Sequence, residues 1–385
     1  MAPTPQKNCS TGRRLNGETA VHFKILRRIA PFAAFALQMI WGQSAFGDES
    51  AQRPKVSILM AVYDCEAYLP AALESAQKQT IGDIEIVCVD DGSTDGSLSI
   101  LRSHGAEDGR IRVFANGTNR GTHYSRMRAI AESRGDFILW LDGDDELADD
   151  IGERAWRKAV ATGADVVLFN ADWRNGKWER CGGRVKKWMT AVGDMAGNGR
   201  SSNLITMLLD GAVSVHCWNK MWRGENMRAM AEALMPFSES HHIVKEEDSL
   251  LFWFAVKFSK SYTSISSVGY RHRASSGLSA RKRGDKDFTG KKLADFFAIQ
   301  RKMVFDESNP RDRARARAVL RRMEGYVQSM IVSLPEEEGF AAFDEYLGTV
   351  PEGMRKSIEK SMGRRNGEFF RRYRRSMGSS AVSTM

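Results

Sequence analysis

The stretch "LWLDGDDELADD" at residues 139–150 is the part of the chain best suited to chemistry. Six acidic side chains fall within nine positions from Asp142 to Asp150, directly behind the apolar run Phe137 to Leu141. A solvated loop explains charge, but not charge that begins at the end of a core strand. Carboxylates this close repel one another and raise each other's pKa. A hard divalent ion removes that conflict, because Mg²⁺ or Mn²⁺ takes one or two protein carboxylates together with substrate phosphates. Asp142, Asp144 and Asp145 are the candidate ligands. An EF-hand is excluded, since the glycine and glutamate its loop requires are missing. A phosphatase of the D-x-D nucleophile type would want this loop on a first strand, and here it follows a fourth.

Two other clusters stand out. In "VDDGSTDGS", Asp90 and Asp91 end an apolar run and lead into Gly92, Ser93 and Thr94. A carboxylate there suits a nucleobase imide or a ribose; the plainer alternative is an Asx-type turn with a helix cap at Ser93 or Thr94. The spacing G-x-G-x-x-G of dinucleotide sites is missing. In "KEEDSLLFW", Asp248 could take a proton from a hydroxyl, or simply favour a helix N-terminus by its charge. His216 with Cys217, and His241 with His242, lack the spacing of a zinc site. Trp218, Trp222 and Trp253 read as core or cleft wall, and Lys220 reads as exposed unless a phosphate lies nearby.

The elements that must position these residues begin at Pro54. "KVSILMAVY", "IEIVCVD", "GRIRVFAN" and "DFILWLD" read as strands, and "EAYLPAALESAQKQ", "TDGSLSILRSH" and "THYSRMRAIAESRG" as the helices between them. Strands of continuous apolar character belong to a sheet covered on both faces. The expected fold is α/β, a doubly wound, mostly parallel sheet with helices on both faces, followed by a helical C-terminal region beyond about residue 285. Ligands of such sheets bind beyond the carboxyl ends of the strands, where Tyr63, Asp64, Asp90, Asp91 and Asp142 to Asp145 fall.

The whole chain sets the frame. Its 385 residues carry a net charge of +9, much of it late, in "RDRARARAVLRRM" and "GRRNGEFFRRYRRSM". Such runs suit anionic lipid headgroups or simply a solvated helix face, whereas no nucleic-acid motif supports a polynucleotide. Five cysteines without a C-x-x-C pair indicate neither a disulfide framework nor zinc, and fit a reducing compartment. Lys24, Arg27 and Arg28 precede an uncharged stretch from Ile29 to Gly47, diluted by Pro31, Gln38, Gly42 and Gln43. That pattern favours a membrane-touching or disordered extension over a cleaved signal peptide. The expected division is residues 1–53 as this extension, 54–175 as the α/β half, 176–280 as a second half of mixed short elements, and 281–385 as basic helices.

In order and at these spacings, "VSILMAVYDCEAYL", "EIVCVDDGSTDGS", "NRGTHYSRMRAI" and "GDFILWLDGDDEL" resemble the nucleotide-binding half of the family 2 glycosyltransferases, inverting enzymes of the GT-A fold. "CWNKMWR", "KEEDSLLFW" and "GYRHRASSGLS" resemble, more loosely, the acceptor half of bacterial members that build surface polysaccharide. The resemblance implies that Ala61, Val62, Tyr63 and Glu66 line a base and ribose pocket, with Asp91 and Asp90 reading the base. Arg126 would lie near the diphosphate and Arg273 would approach it from the C-terminal side. Asp142 and Asp144 would form the D-x-D pair, with Asp144 or Asp145 the direct ligand of Mn²⁺ or Mg²⁺. Asp248 would be the catalytic base, with Glu247 beside it. Ala61, Asp64 and Met127 depart from the residues usual at their positions, which leaves the sugar unread. The implied function is metal-dependent transfer of a sugar from a nucleotide donor, a UDP-sugar being favoured, with inversion, to a hydroxyl of a glycan or lipid-linked acceptor in the cytoplasm, with peripheral contact to the inner membrane surface. A non-catalytic nucleotide-sugar or glycan-binding protein of the same fold is the alternative.

Overall fold

The computed structural model describes residues 53–174, 192–273, 286–304, 309–348 and 352–382. The expected N-terminal extension with its uncharged stretch, and the part of "GYRHRASSGLS" beyond Arg273, lie outside the described residues.

The apolar runs become the centre of a sheet. β1 (Val56–Val62) pairs in parallel with β2 (Ile84–Asp90) on one side and β4 (Phe137–Trp140) on the other, and β2 pairs with β3 (Ile111–Ala115). All seven residues of β2 are buried, as its unbroken aliphatic character requires. The register sets Val62 opposite Asp90 and Asp90 opposite Ala115, so the carboxyl ends of three strands are level. Helices α1 (Leu69–Gln77), α2 (Ser97–Glu107) and α3 (Thr122–Glu132) make the crossovers. A short β5 (Glu146–Leu147) and helix α4 (Ile151–Thr162) follow, and α4 ends at the left-handed Gly163.

The sheet then continues with mixed sense. Its order is β3-β2-β1-β4-β8-β6-β9-β5, formed with β6 (Val166–Arg174), β8 (Lys220–Arg223) and β9 (Ser261–Arg273), while β7 (Gly199–Arg200) pairs with β9. β8 runs antiparallel to both β4 and β6. The sheet is therefore continuous across the position near residue 175, with a later strand inserted between two earlier ones. At the far edge, Glu146 and Leu147 pair with Arg271 and Tyr270, which carries the end of β9 to the acidic stretch. Helices α5 (Asn203–Leu209), α6 (Gly224–Ser240) and α7 (Glu247–Phe258) complete this part.

Among the described residues everything beyond Lys286 is helical: α8 (Lys286–Val304), α9 (Pro310–Ser333), α10 (Glu336–Gly348), α11 (Glu352–Arg365) and α12 (Gly367–Val382). Phe340, Phe343, Phe369, Phe370 and Tyr373 form an aromatic core between α10 and α12. Ile358, Met362 and Tyr373 face inward, whereas Lys356, Lys360, Arg364, Arg371 and Arg375 are exposed. Among the described residues no helix is long and apolar enough to cross a membrane.

Candidate active site

Two loops at the level strand ends are laced together. The Asp64 carboxylate accepts from the Thr94 amide at 2.8 Å, the Asp64 amide donates to Ser93 Oγ, and the Cys65 amide donates to Ser97 Oγ. Glu66 accepts from the Gly96 amide at 2.6 Å while its own amide donates to Asp95. Asp64 adopts φ 47°, a left-handed conformation held by these bonds. Ala61 and Tyr63 are half-buried and Val62 is buried at this edge. Burial, with Asp64 next, raises the Tyr63 phenol above its ordinary value.

The paired aspartates differ. Asp91 accepts from Asn116 and the Arg120 amide at 2.8 Å and from the Gly121 amide at 3.0 Å, so both its oxygens organise the turn into α3. Gly121 has φ 92°, and a Cβ there would come within 2.6 Å of the Ile243 carbonyl oxygen. Asp90 closes the expected Asx-type turn with one oxygen, Oδ2, which accepts from the Gly92 and Ser93 amides. Its Oδ1 is buried without a hydrogen-bond partner. A buried carboxylate oxygen left unpaired is costly, so this atom suits a ligand N–H.

At the acidic strand end, charge is organised around Arg126. This guanidinium reaches up from α3 over the Trp140 ring. It donates to Asp142 Oδ1 at 3.2 Å and Asp248 Oδ1 at 2.5 Å, and lies 3.4 Å from Glu247 Oε1. Asp142 stands above its ordinary pKa because of burial, with Arg126 opposing and Asp144 and Asp248 adding to the rise. Burial pushes Glu247 up to about 7 against the pull of Arg126. Asp248 goes the other way: burial disfavours its charge, but Arg126 and His216 outweigh that and hold it well below the usual carboxylate range. Glu246, just before α7, is left-handed at φ 62°.

Asp145 turns inward instead. Its Oδ2 accepts from Tyr270 Oη at 2.8 Å and from His272 Nδ1 at 2.9 Å, and its Oδ1 accepts from the Arg273 amide at 2.6 Å. Both oxygens of this acid, one of the three expected to bind metal, are thus taken by protein donors. Arg273 donates through Nε to the Asp144 carbonyl and lies over the Tyr68 ring, so it does sit beside the acidic stretch. Among the described residues, no three or more His, Cys, Asp or Glu side chains form a ready-made metal site. Asp142 suits a cation in another way: burial and neighbouring acids press it toward protonation, a pressure a cation would relieve.

One residue proves different from its sequence reading, and two others have neighbours the sequence did not show. Lys220 is fully buried and donates to the Ser214 and His216 carbonyls and to Asn219 Oδ1, with Phe252 beside it. Desolvation lowers its pKa to about 8. Trp218 stacks between His216, at 5.1 Å, and Tyr270, at 4.5 Å. His216 donates from Nδ1 to Asp248 Oδ2 at 3.0 Å. No spacing signal joins residues 32 positions apart; only "KEEDSLLFW" and the pair His216 and Cys217, as separate clusters, were legible. Trp222 and Trp253 are core. His241 stacks on Phe237, and His242 meets Asn119.

Residues 57–215 match the family model described as glycosyl transferase family 2. EpsH of Bacillus subtilis (strain 168) is 30% identical over 222 residues, covering 58% of this chain and 61% of that protein. The cholesterol galactosyltransferase of Borreliella burgdorferi is 31% identical over 120 residues, 31% of this chain and 33% of that protein. The chain thus spans less than two thirds of these relatives. Among solved structures, S. aureus TarS 1-349 in complex with UDP-GlcNAc superposes with a TM-score of 0.60 at 18% identity, covering 85% of this chain and 92% of that one. That likeness establishes the GT-A type of sheet described above.

Proposed function

We propose, since residues 57–215 match the glycosyl transferase family 2 model, that this chain transfers a sugar from a nucleotide-sugar donor to a hydroxyl of a glycan or lipid-linked acceptor, by single displacement with inversion. The observation that carries the reading is the meeting of Asp142, at a strand end, with Asp248, in the first turn of a helix far along the chain, on the one buried guanidinium of Arg126. One acid faces the leaving-group side of such a reaction and the other the acceptor side.

The geometry supports the following roles. The buried Oδ1 of Asp90 is suited to an imide N–H, which uracil offers and cytosine lacks; together with TarS having been crystallised with UDP-GlcNAc, this favours a UDP-sugar. Asp91 and Glu66 shape the pocket through the loops they tie, and Ala61, Val62 and Tyr63 form its wall. Asp142 and Asp144 would hold Mn²⁺ or Mg²⁺, and the ion would supply positive charge for the departing diphosphate. Asp145 fixes the end of β9 and so aims Arg273. Arg126 and Arg273 add fixed positive charge where negative charge develops. The acceptor oxygen forms its bond to the anomeric carbon as the bond to phosphate opens, and the hydroxyl proton passes to a base at Asp248. The reading sets the protein in the cytoplasm, with the exposed cations of α11 and α12 against the inner membrane surface.

The test is nucleotide release from UDP-GlcNAc, UDP-glucose and UDP-galactose with Mn²⁺ or Mg²⁺, with and without glycan acceptors. Asp142→Asn and Asp248→Asn should each lower turnover by about a hundredfold or more. A folded wild type that binds a UDP-sugar yet releases no nucleotide from any donor would support the non-catalytic binding protein instead.

A further inference from the structure

Lys220 opens β8 with its side chain fully buried, and its Nζ sits in a socket of three oxygens. It donates to the Ser214 carbonyl at 3.1 Å, the His216 carbonyl at 2.5 Å and Asn219 Oδ1 at 2.6 Å. None of these oxygens has a proton to give, so the socket asks for a donor to each, which an ammonium offers and a neutral amine does not. Burial lowers the Lys220 pKa to about 8, with Cys217 and Asp248 opposing, so the group keeps its proton at neutral pH. A charge at this depth costs free energy that an apolar side chain of the same length would not.

The turn that the socket closes leads to acids on both sides of the site. His216 Nδ1 meets Asp248 Oδ2 at 3.0 Å, and Trp218 stacks between His216 and Tyr270. Tyr270 in turn donates to Asp145 and accepts from the Asp142 amide at 3.1 Å. Resting on the transferase reading, we propose that Lys220 is a positioning residue for sugar transfer: its ammonium fixes the turn from Ser214 to Asn219, which holds Asp248 through His216 and Tyr270 through Trp218. Without the ammonium the three oxygens lose their donor, the turn shifts, and Asp248 loses its set orientation. The loops tied by Asp64, Glu66 and Asp91 lie elsewhere in the chain and keep their own bonds. The loss therefore falls on turnover rather than on donor binding.

The experiment measures Mn²⁺-dependent UDP release from UDP-sugars by the full chain at neutral pH, comparing wild type, Lys220→Met and Lys220→Ala. Both variants should lose about tenfold or more in kcat with KM for the donor little changed. Propylammonium, small enough for the space left in Lys220→Ala, should restore its kcat several-fold, whereas tetramethylammonium, which has no N–H, should not. A second readout needs no activity. Buried Cys217 lies in the same turn, and the Lys220 charge favours its thiolate, so faster alkylation of Cys217 in Lys220→Met, read by peptide mass spectrometry, reports opening of the turn and not a more reactive thiol. Wild-type kcat in Lys220→Met, a parallel loss of donor binding, or a loss in Lys220→Ala that propylammonium leaves unchanged would each overturn the proposal. If Lys220→Ala fails to fold, Lys220→Met decides by its kcat, its KM and its Cys217 alkylation. A wild type that releases no nucleotide removes the transferase reading, whereas unchanged Cys217 alkylation in Lys220→Met removes the socket, whether or not the chain is active.

Discussion

Arg126 is 7% exposed at its side chain and neutralises acids from two distant parts of the chain. Removing one partner of a buried ion pair leaves the other charges uncompensated, at a cost of about 3–5 kcal/mol. Arg126→Met should therefore lower the unfolding free energy at neutral pH by about that much in urea titrations; a change within error would mean Asp142, Glu247 and Asp248 are neutralised some other way. His123, one turn earlier on α3, behaves differently. Burial first, then Arg126 and His241, press its pKa down to about 3. An unfolded histidine titrates near 6.5, about three units higher. Between those values the unfolded chain binds more protons, so stability present above pH 6.5 is lost as pH falls toward 3. His123→Leu should flatten the acid side of a stability-against-pH curve, and an unchanged slope would contradict the assignment. At this scale the sequence singled out the acids that the fold gathers but not their partners. Asp91, expected to read a base, also holds the turn into α3; Lys220 was expected in solvent and is buried. Such roles depend on where the chain returns, which residue spacing does not encode.

The elements of the first half follow closely from their hydrophobic runs, because a strand buried on both faces leaves an unbroken apolar signature. β2 spans the expected residues, Ile84–Asp90. Helix α2 begins at Ser97 rather than near Thr94 because Ser93 and Thr94 are committed to Asp64 across the loop. β8 was hidden, since four residues inserted antiparallel between β4 and β6 carry no clear alternation. One contact between elements has a functional consequence. Asp295 on α8 accepts from the Val244 and Lys245 amides at 3.0 Å, just ahead of Glu246, Glu247 and Asp248. The helical region thereby sets the approach to the candidate base. Asp295→Ala should lower kcat for nucleotide release by about tenfold or more while nucleotide-induced stabilisation persists. Loss of nucleotide binding in parallel would show that Asp295 supports the whole site rather than this segment.

At the scale of the whole molecule, the α/β sheet and the late helices were legible from the alternation of patterns, and the joining of sheet and helices around one site was not. Lys356, Lys360 and Arg364 recur at helical spacing on α11, as do Arg371 and Arg375 on α12, all exposed. Each cation near an anionic surface contributes about 1 kcal/mol. Replacing Lys360, Arg364, Arg371 and Arg375 with glutamine should abolish sedimentation with phosphatidylglycerol vesicles at low salt without affecting nucleotide release from soluble substrates. Equal binding of wild type to neutral phosphatidylcholine vesicles would argue against this surface. The central claim is that "LWLDGDDELADD" serves a nucleotide-sugar and its metal. The most direct measurement is thermal stabilisation of the purified protein by UDP, GDP, CDP and their sugars, with and without Mn²⁺, repeated on Asp144→Ala. Stabilisation by a uridine nucleotide that needs both Mn²⁺ and Asp144 is the predicted result. No shift with any nucleotide under any metal condition would contradict it.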